Sequence, residues 1–182
     1  MRALQPDRET RFRALYAQAY PDVLRFAARR AHPSHAEDVA ADAFLVAWRR
    51  IDEVPPRHED ARAWLFGITR HCLLNAGRGG ERRQALTVRL AALTAAGEPT
   101  HDGDADFVAQ RVDVAAAWRR LSAAEQEALA LHLFDDLTSP QAARVLGISA
   151  ASYRVRLLRA RRALRQHLEH PAPTRVQLEN QP

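Results

Sequence analysis

The side chains in this sequence that could do chemistry fall into two sets, and only one is arranged to work. Cys72 stands beside His71, a pair that can serve as nucleophile or metal ligands. Adjacent helical residues point roughly 100° apart and cannot readily hold one ion, so Cys72 reads as a small buried thiol. His167 and His170 are better spaced but lack further ligands. Ser34, the only serine before Ser122, stands in a loop with no base or arginine cluster around it. No enzyme, metal or other cofactor is expected. The second set is the arginines near the C-terminus. From Leu137 to Leu168 the chain has no acidic residue, while Arg154, Arg159, Arg161, Arg162 and Arg165 follow in close succession. Unneutralised guanidinium groups at helical spacing suit a polyanion.

The element that must position these arginines reads as a helix-turn-helix. Thr138, with Gln141 three residues on, can cap a helix start, and Pro140 is tolerated in its first turn. That helix ends near Leu146. Ala143 lets a second helix cross closely, Gly147 supplies the permissive backbone of a tight turn, and Ser149 caps the next helix. On that helix Tyr153, Leu157, Ala160 and Leu164 form an apolar stripe for docking. Ser152, Val155, Leu158, Arg159 and Arg162 then face outward, with Arg154, Arg161 and Arg165 on a flank, as on a recognition helix in the major groove.

The segment LTSPQAARVLGISAASYRVRLLRARRAL resembles the C-terminal helix-turn-helix domain of bacterial sigma factors, most closely the two-domain extracytoplasmic-function type. Relatives carry a small residue, Thr, Val and a basic residue where this chain has Ala151, Ser152, Tyr153 and Arg154. Tyr153 is bulkier than the usual inward valine, and Val155 replaces a usual outward serine.

Composition is compatible with that resemblance. The 182 residues suffice for two small domains, and a formal charge of +5 favours a polyanionic partner. The single cysteine excludes an internal disulfide and points to a reducing compartment. MRALQPDRET lacks an apolar h-region and no window approaches eighteen apolar residues, so a cytoplasmic protein without membrane insertion is expected.

Taken in order, the chain predicts an all-α fold: two small helical domains joined by a flexible linker, the second holding the helix-turn-helix. The first domain is expected over 1–85, the linker over 86–110, the second domain over 111–170 and a flexible tail over 171–182. Phe12, Leu15, Tyr16 and Ala19 share a core face, and after Pro21 a second segment buries Val23, Leu24, Phe26 and Ala27. AEDVAADAFLVAWRR, residues 36–50, is a third helix with acids in its early turns, where the helix dipole favours them. It resembles the family segment that docks on a coiled coil of the large polymerase subunit, which implies Asp38, Asp42, Phe44 and Trp48 as polymerase contacts. IDEVPPRHED, residues 51–60, is a loop because Pro55 and Pro56 forbid regular helix. The resemblance allows Arg57 and His58 to help shape a pocket for a flipped base, and a plain surface connection fits them equally. From Asp60 a fourth helix carries Trp64, Arg70, His71 and Asn75, with Arg78 and Arg82 beyond it. Aromatics beside arginines suit single strands, and this segment resembles the one that melts and reads the −10 element. Gly77, Gly79 and Gly80 predict fraying or bending after Ala76. The linker GEPTHDGDAD is acidic, either to stay off DNA or to lie in a basic channel. The second domain is predicted to begin with a helix from Val112, followed by one capped by Ser122 and Glu125 and closed by Asp135 and Asp136.

Together these features imply a sigma factor whose partners are core RNA polymerase, promoter DNA in duplex −35 and melted −10 form, and, as for many relatives, an anti-sigma factor, with no small-molecule substrate. The rival is a free-standing helix-turn-helix regulator that acts without polymerase. Such proteins usually dimerise to match two half-sites, and no dimerisation helix is evident.

Overall fold

Amphipathic patterning and capping place seven α-helices, seen in a computed structural model that describes residues 7–76 and 105–170. The first half contains α1 (Arg8–Ala28), α2 (Ala36–Arg49) and α3 (His58–Ala76); the second contains α4 (Ala105–Arg119), α5 (Ala123–Leu133), α6 (Ser139–Leu146) and α7 (Ala150–Glu169). Short 3-10 turns at Pro33–His35 and Ile51–Glu53 complete the set, and no strand occurs among the described residues.

Three boundaries differ from the sequence reading. Pro21 lies inside a continuous α1, because Leu15, Ala19, Val23 and Phe26 form one inward stripe through it. Burying side chains of this size contributes about 1.5–3 kcal/mol each, enough to outweigh the roughly 3 kcal/mol that an interior proline costs. α3 begins at His58, directly after the prolines and Arg57, with Glu59 and Asp60 in its first turn. α4 begins at Ala105 instead of Val112, so the last residues assigned to the linker are helical; no glycine or proline after Gly103 opposes this. The expected fraying after Ala76, the rest of the linker and the tail lie outside the described residues.

Local chemistry explains the second half. Ser122 caps α5: its Oγ accepts from Glu125 N–H at 3.3 Å, while Glu125 Oε2 accepts from Ser122 N–H at 2.8 Å. Gln141 Oε1 likewise accepts from Thr138 N–H at 3.0 Å at the start of α6. α6 ends at Gly147, whose φ of 68° is left-handed, and Ile148 N–H then closes back on Ala143 O at 3.0 Å. This turn aims α7, whose Ser149 Oγ accepts from Ser152 N–H at 3.1 Å.

Each half has its own packing, yet they share one core. Phe26 of α1 stacks on Phe66 of α3 at 4.6 Å between ring centroids. In the second half, α7 buries Tyr153, Leu157 and Ala160 against α5 and α6. The Tyr153 ring is fully buried and its hydroxyl donates to Ala128 O at 2.9 Å. The halves meet where α6 lies on α3: a Cβ placed on Gly67 would stand 4.0 Å from Val145 Cα.

Two tests follow from this architecture. Gly147→Ala meets no atom within 4 Å, so only its left-handed backbone opposes the change, and thermal unfolding should register a loss of about 1–2 kcal/mol. Burial pushes the Tyr153 phenol up to about 12, from an ordinary 10.0. Because the folded value is the higher one, its contribution is fully present below pH 10 and is lost as pH rises through about 12. The chain contains no lysine to confuse that window. Tyr153→Phe should cost about 1 kcal/mol at neutral pH for the missing hydrogen bond and flatten the alkaline limb of a stability–pH curve.

Candidate nucleic-acid interface

The candidate duplex-reading surface is the outer face of α7. Docking Tyr153, Leu157 and Ala160 inward fixes the helix rotation, and Ser152, Arg154, Val155, Leu158, Arg159, Arg161 and Arg162 are then all exposed. Val155 and Leu158 are 49% and 48% exposed, so apolar surface lies among the cations, where it can meet thymine methyl groups while guanidinium groups meet guanine edges or phosphates. No carboxylate among the described residues forms an ion pair with Arg154, Arg159, Arg161, Arg162 or Arg165. At the far end, Arg120 Nη1 donates to His170 O at 2.7 Å, satisfying a carbonyl of the α7 C-terminus.

A second surface lies on α1 and α2. Asp38, Asp42 and Trp48 are exposed there, whereas Phe44 turns inward, 3% exposed. Phe44 forms the floor of a cleft of about 530 Å³ walled by Phe12, Tyr16, Tyr20, Leu45 and Trp48, with Glu37 and Asp38 at its edge. Ring contacts hold the cleft open: Tyr16 to Phe44 at 4.7 Å and Phe12 to Trp48 at 5.1 Å. Arg8 fixes its rim, since Nη2 donates to Trp48 O at 3.0 Å and the guanidinium lies 5.4 Å from the Trp48 ring centre. The sequence reading did not single out Leu45, 56% exposed, or Tyr16, assigned to the core but 40% exposed. A helical wheel centred on Trp48 would have found Leu45; Tyr16 needed the packing angle between α1 and α2.

The third surface is on α3. Trp64, His71 and Asn75 line a cleft of about 430 Å³ with Arg50, Pro55 and Arg144. His71 Nδ1 donates to Gly67 O at 2.7 Å, which fixes the ring's orientation in the cleft. The Arg50 guanidinium lies 5.7 Å from the Trp64 ring centre; its hydrogen bond to Glu53 holds that carboxyl below the usual range. Arg57 and His58 are exposed at the start of α3 and do not line this cleft. Arg70 points elsewhere, its Nε 3.9 Å from Glu127 of α5. Arg78 and Arg82 lie outside the described residues. Cys72 is half-buried, and desolvation pushes its thiol up, away from the reactive thiolate. No group of three or more potential metal ligands occurs among the described residues, and none of the described helices is long and apolar enough to cross a membrane.

Residues 15–83 match Sigma-70 region 2, and residues 111–164 match Sigma-70, region 4. The chain is 28% identical over 166 residues to the ECF RNA polymerase sigma factor SigL of Mycobacterium tuberculosis, covering 90% of this chain and 92% of that one. It is 33% identical over 135 residues to the RNA polymerase sigma factor CnrH of Cupriavidus metallidurans, covering 70% of each. Among solved structures, CnrH in complex with the cytosolic domain of CnrY aligns with a TM-score of 0.59 at 28% identity, covering 88% of this chain and 89% of that one. The sigma factor RpoE in complex with the anti-sigma factor NepR from Bartonella quintana aligns at 0.58 and 23% identity, covering 88% and 98%, a likeness of fold. Two region matches in the right order and a relative one-third identical over most of its length show that this chain belongs to the ECF family of RNA polymerase sigma factors.

Proposed function

We propose that the three surfaces divide the work of promoter-specific initiation. The α1–α2 cleft docks core RNA polymerase through Asp38, Asp42, Leu45 and Trp48, with Phe44 supporting them from below. Trp64, His71 and Asn75 contact the melted −10 strand, with Arg57, His58, Arg78 and Arg82 near its phosphates, and the outer face of α7 reads the −35 duplex; Arg70 joins them only by leaving Glu127. The observation that carries this reading is the α7 face itself: exposed arginines without acidic partners, interleaved with Val155 and Leu158. Side chains of this kind combine phosphate positioning with base-edge and methyl recognition. No covalent step is needed. Opening of the duplex draws on tighter binding to the melted, flipped strand than to the closed one.

The aromatic, acid-edged cleft offers a docking face separate from the DNA-reading helix, as a polymerase subunit needs. Aromatic and aliphatic anchors beside carboxylates suit a partner helix with apolar and basic residues. An anti-sigma protein is a further partner in this reading, because CnrH was solved with the cytosolic domain of CnrY. The place of action is the cytoplasm, where polymerase and promoter are found.

Run-off transcription with core polymerase from a high-GC bacterium, over a pooled promoter library, tests the reading directly. Transcripts that need this chain and share two upstream elements are expected; a chain that shifts duplex but neither binds polymerase nor gains initiation would hand the function to the regulator. Arg159→Ala should cost about 1–3 kcal/mol on the cognate duplex and relax specificity, whereas Arg162→Ala should weaken every sequence alike and reduce the salt slope by about one unit. Equal losses on cognate and scrambled duplex for both variants would remove Arg159 from base reading. Trp48→Ala should weaken polymerase binding by about 2 kcal/mol, the scale of an interface anchor, and leave duplex binding by the free chain unchanged.

A further inference from the structure

Arg50 lines the strand-facing cleft with Trp64, His71 and Asn75, but no contact with polymerase or promoter falls to it in the division of work among the three surfaces. It stands at the C-terminal end of α2, and the 3-10 turn that follows brings Glu53 back beside it. Glu53 N–H donates to Arg50 O at 2.9 Å, while Ile51 between them is 1% exposed and anchors the turn in the core. The Glu53 carboxylate takes the edge of the guanidinium, accepting from Nε on Oε1 at 3.0 Å and from Nη2 on Oε2. Two parallel bonds of this kind fix the plane of the group as well as its position. The guanidinium carbon lies over the Trp64 ring, 5.7 Å from its centre. The Arg50 side chain is still 47% exposed and that of Glu53 55%, so the pair is reached from solvent and contributes little to stability.

An arginine held in this way differs from those on α7. Those have no carboxylate partner and suit phosphates, whereas Arg50 and Glu53 together are neutral, so a strand phosphate gains little by approaching them. What the pair offers instead is a flat, delocalised plane, backed by an indole and fixed in orientation. Unpaired bases stack on guanidinium planes as they do on aromatic rings, and a side chain ordered beforehand loses less freedom on binding. We propose that Arg50 is a base-stacking residue of the −10 strand site, with Glu53 as its positioning residue. The carboxylate cancels the charge that would draw a phosphate and holds the guanidinium flat for an unpaired base. The assignment rests on the strand-reading function given to Trp64 and His71, and it adds to that function a contact that tells base from backbone.

The experiment is fluorescence anisotropy of a labelled oligo-dT strand and of an all-abasic strand of the same length, against the full chain alone and on core polymerase, over a series of salt concentrations. Arg50→Ala should weaken oligo-dT binding about tenfold, change abasic-strand binding by less than about twofold, and leave the salt slope and binding to a random-sequence duplex unchanged. Arg50→Lys keeps the charge without the plane and should match Arg50→Ala on oligo-dT. Glu53→Gln frees the charge of Arg50, so it should tighten binding to the abasic strand, steepen the salt slope by about 0.7 and narrow the preference for oligo-dT. Equal losses on the two strands, a slope flattened by about 0.7 in Arg50→Ala, or full rescue by lysine would make Arg50 an ordinary phosphate contact and overturn the proposal. A wild-type chain that binds both strands equally would overturn it too, and an unchanged slope in Glu53→Gln would overturn the part given to the carboxylate. Run-off transcription reports separately on the function. A chain that neither joins polymerase nor initiates, yet shows this pattern, refutes the promoter role of the cleft and leaves Arg50 stacking; initiation, with Arg50→Ala equal to wild type on oligo-dT, refutes the stacking and leaves the promoter role.

Discussion

The arrangement of the two halves depends on burying Arg29, Arg30, Glu127 and Asp135 together. Charges taken out of water recover their desolvation cost only if each finds good partners, so such a cluster adds little net stability while its loss on one side is costly. Removal of a single partner from a buried pair typically costs about 3–5 kcal/mol. Arg30 also donates to Phe26 O at 3.2 Å and lies 3.6 Å from the Phe26 ring centre. Phe26 in turn stacks on Phe66 of α3. The charge network is thereby continuous with the apolar core of the first half, and a disturbance at the interface reaches the helix that carries Trp64, His71 and Asn75.

The same division between inward anchoring and outward freedom organises α7. Tyr153 fills a fully buried site and spends its one donor on Ala128 O, which locks the rotation of the helix. With rotation fixed, each outward side chain occupies a defined azimuth, as base reading requires. A valine at this position could fill part of the volume but could not supply the polar tether between α7 and α5. Membership of the ECF sigma factors thus sits on a locally different solution to holding the reading helix.

Much of this was legible because it is local. Thr138 with Gln141, Ser122 with Glu125, Gly147 and Ser149 all act within a few residues of themselves, through capping hydrogen bonds and backbone freedom, and the structure has each in its expected place. The alternation of apolar and basic positions on α7 is likewise a property of helix geometry. Differences arose where packing outweighed a local rule: Pro21 did not interrupt α1, and Tyr16 reached the rim of the cleft instead of the core.

By itself the sequence determined the all-helical class, the helix-turn-helix with its outward arginines, and the family, since capping, periodicity and motif order depend on neighbours along the chain. Only the tertiary structure decided that Arg29 and Arg30 are buried ion-pair partners, that Asp135 is more than a helix terminator, and that α6 rests on α3. Arg30 and Asp135 are 105 residues apart, and nothing in the local pattern of either marks it as buried. A charged residue in sequence reads as solvated until a partner of opposite sign is brought to it in a place from which water is excluded.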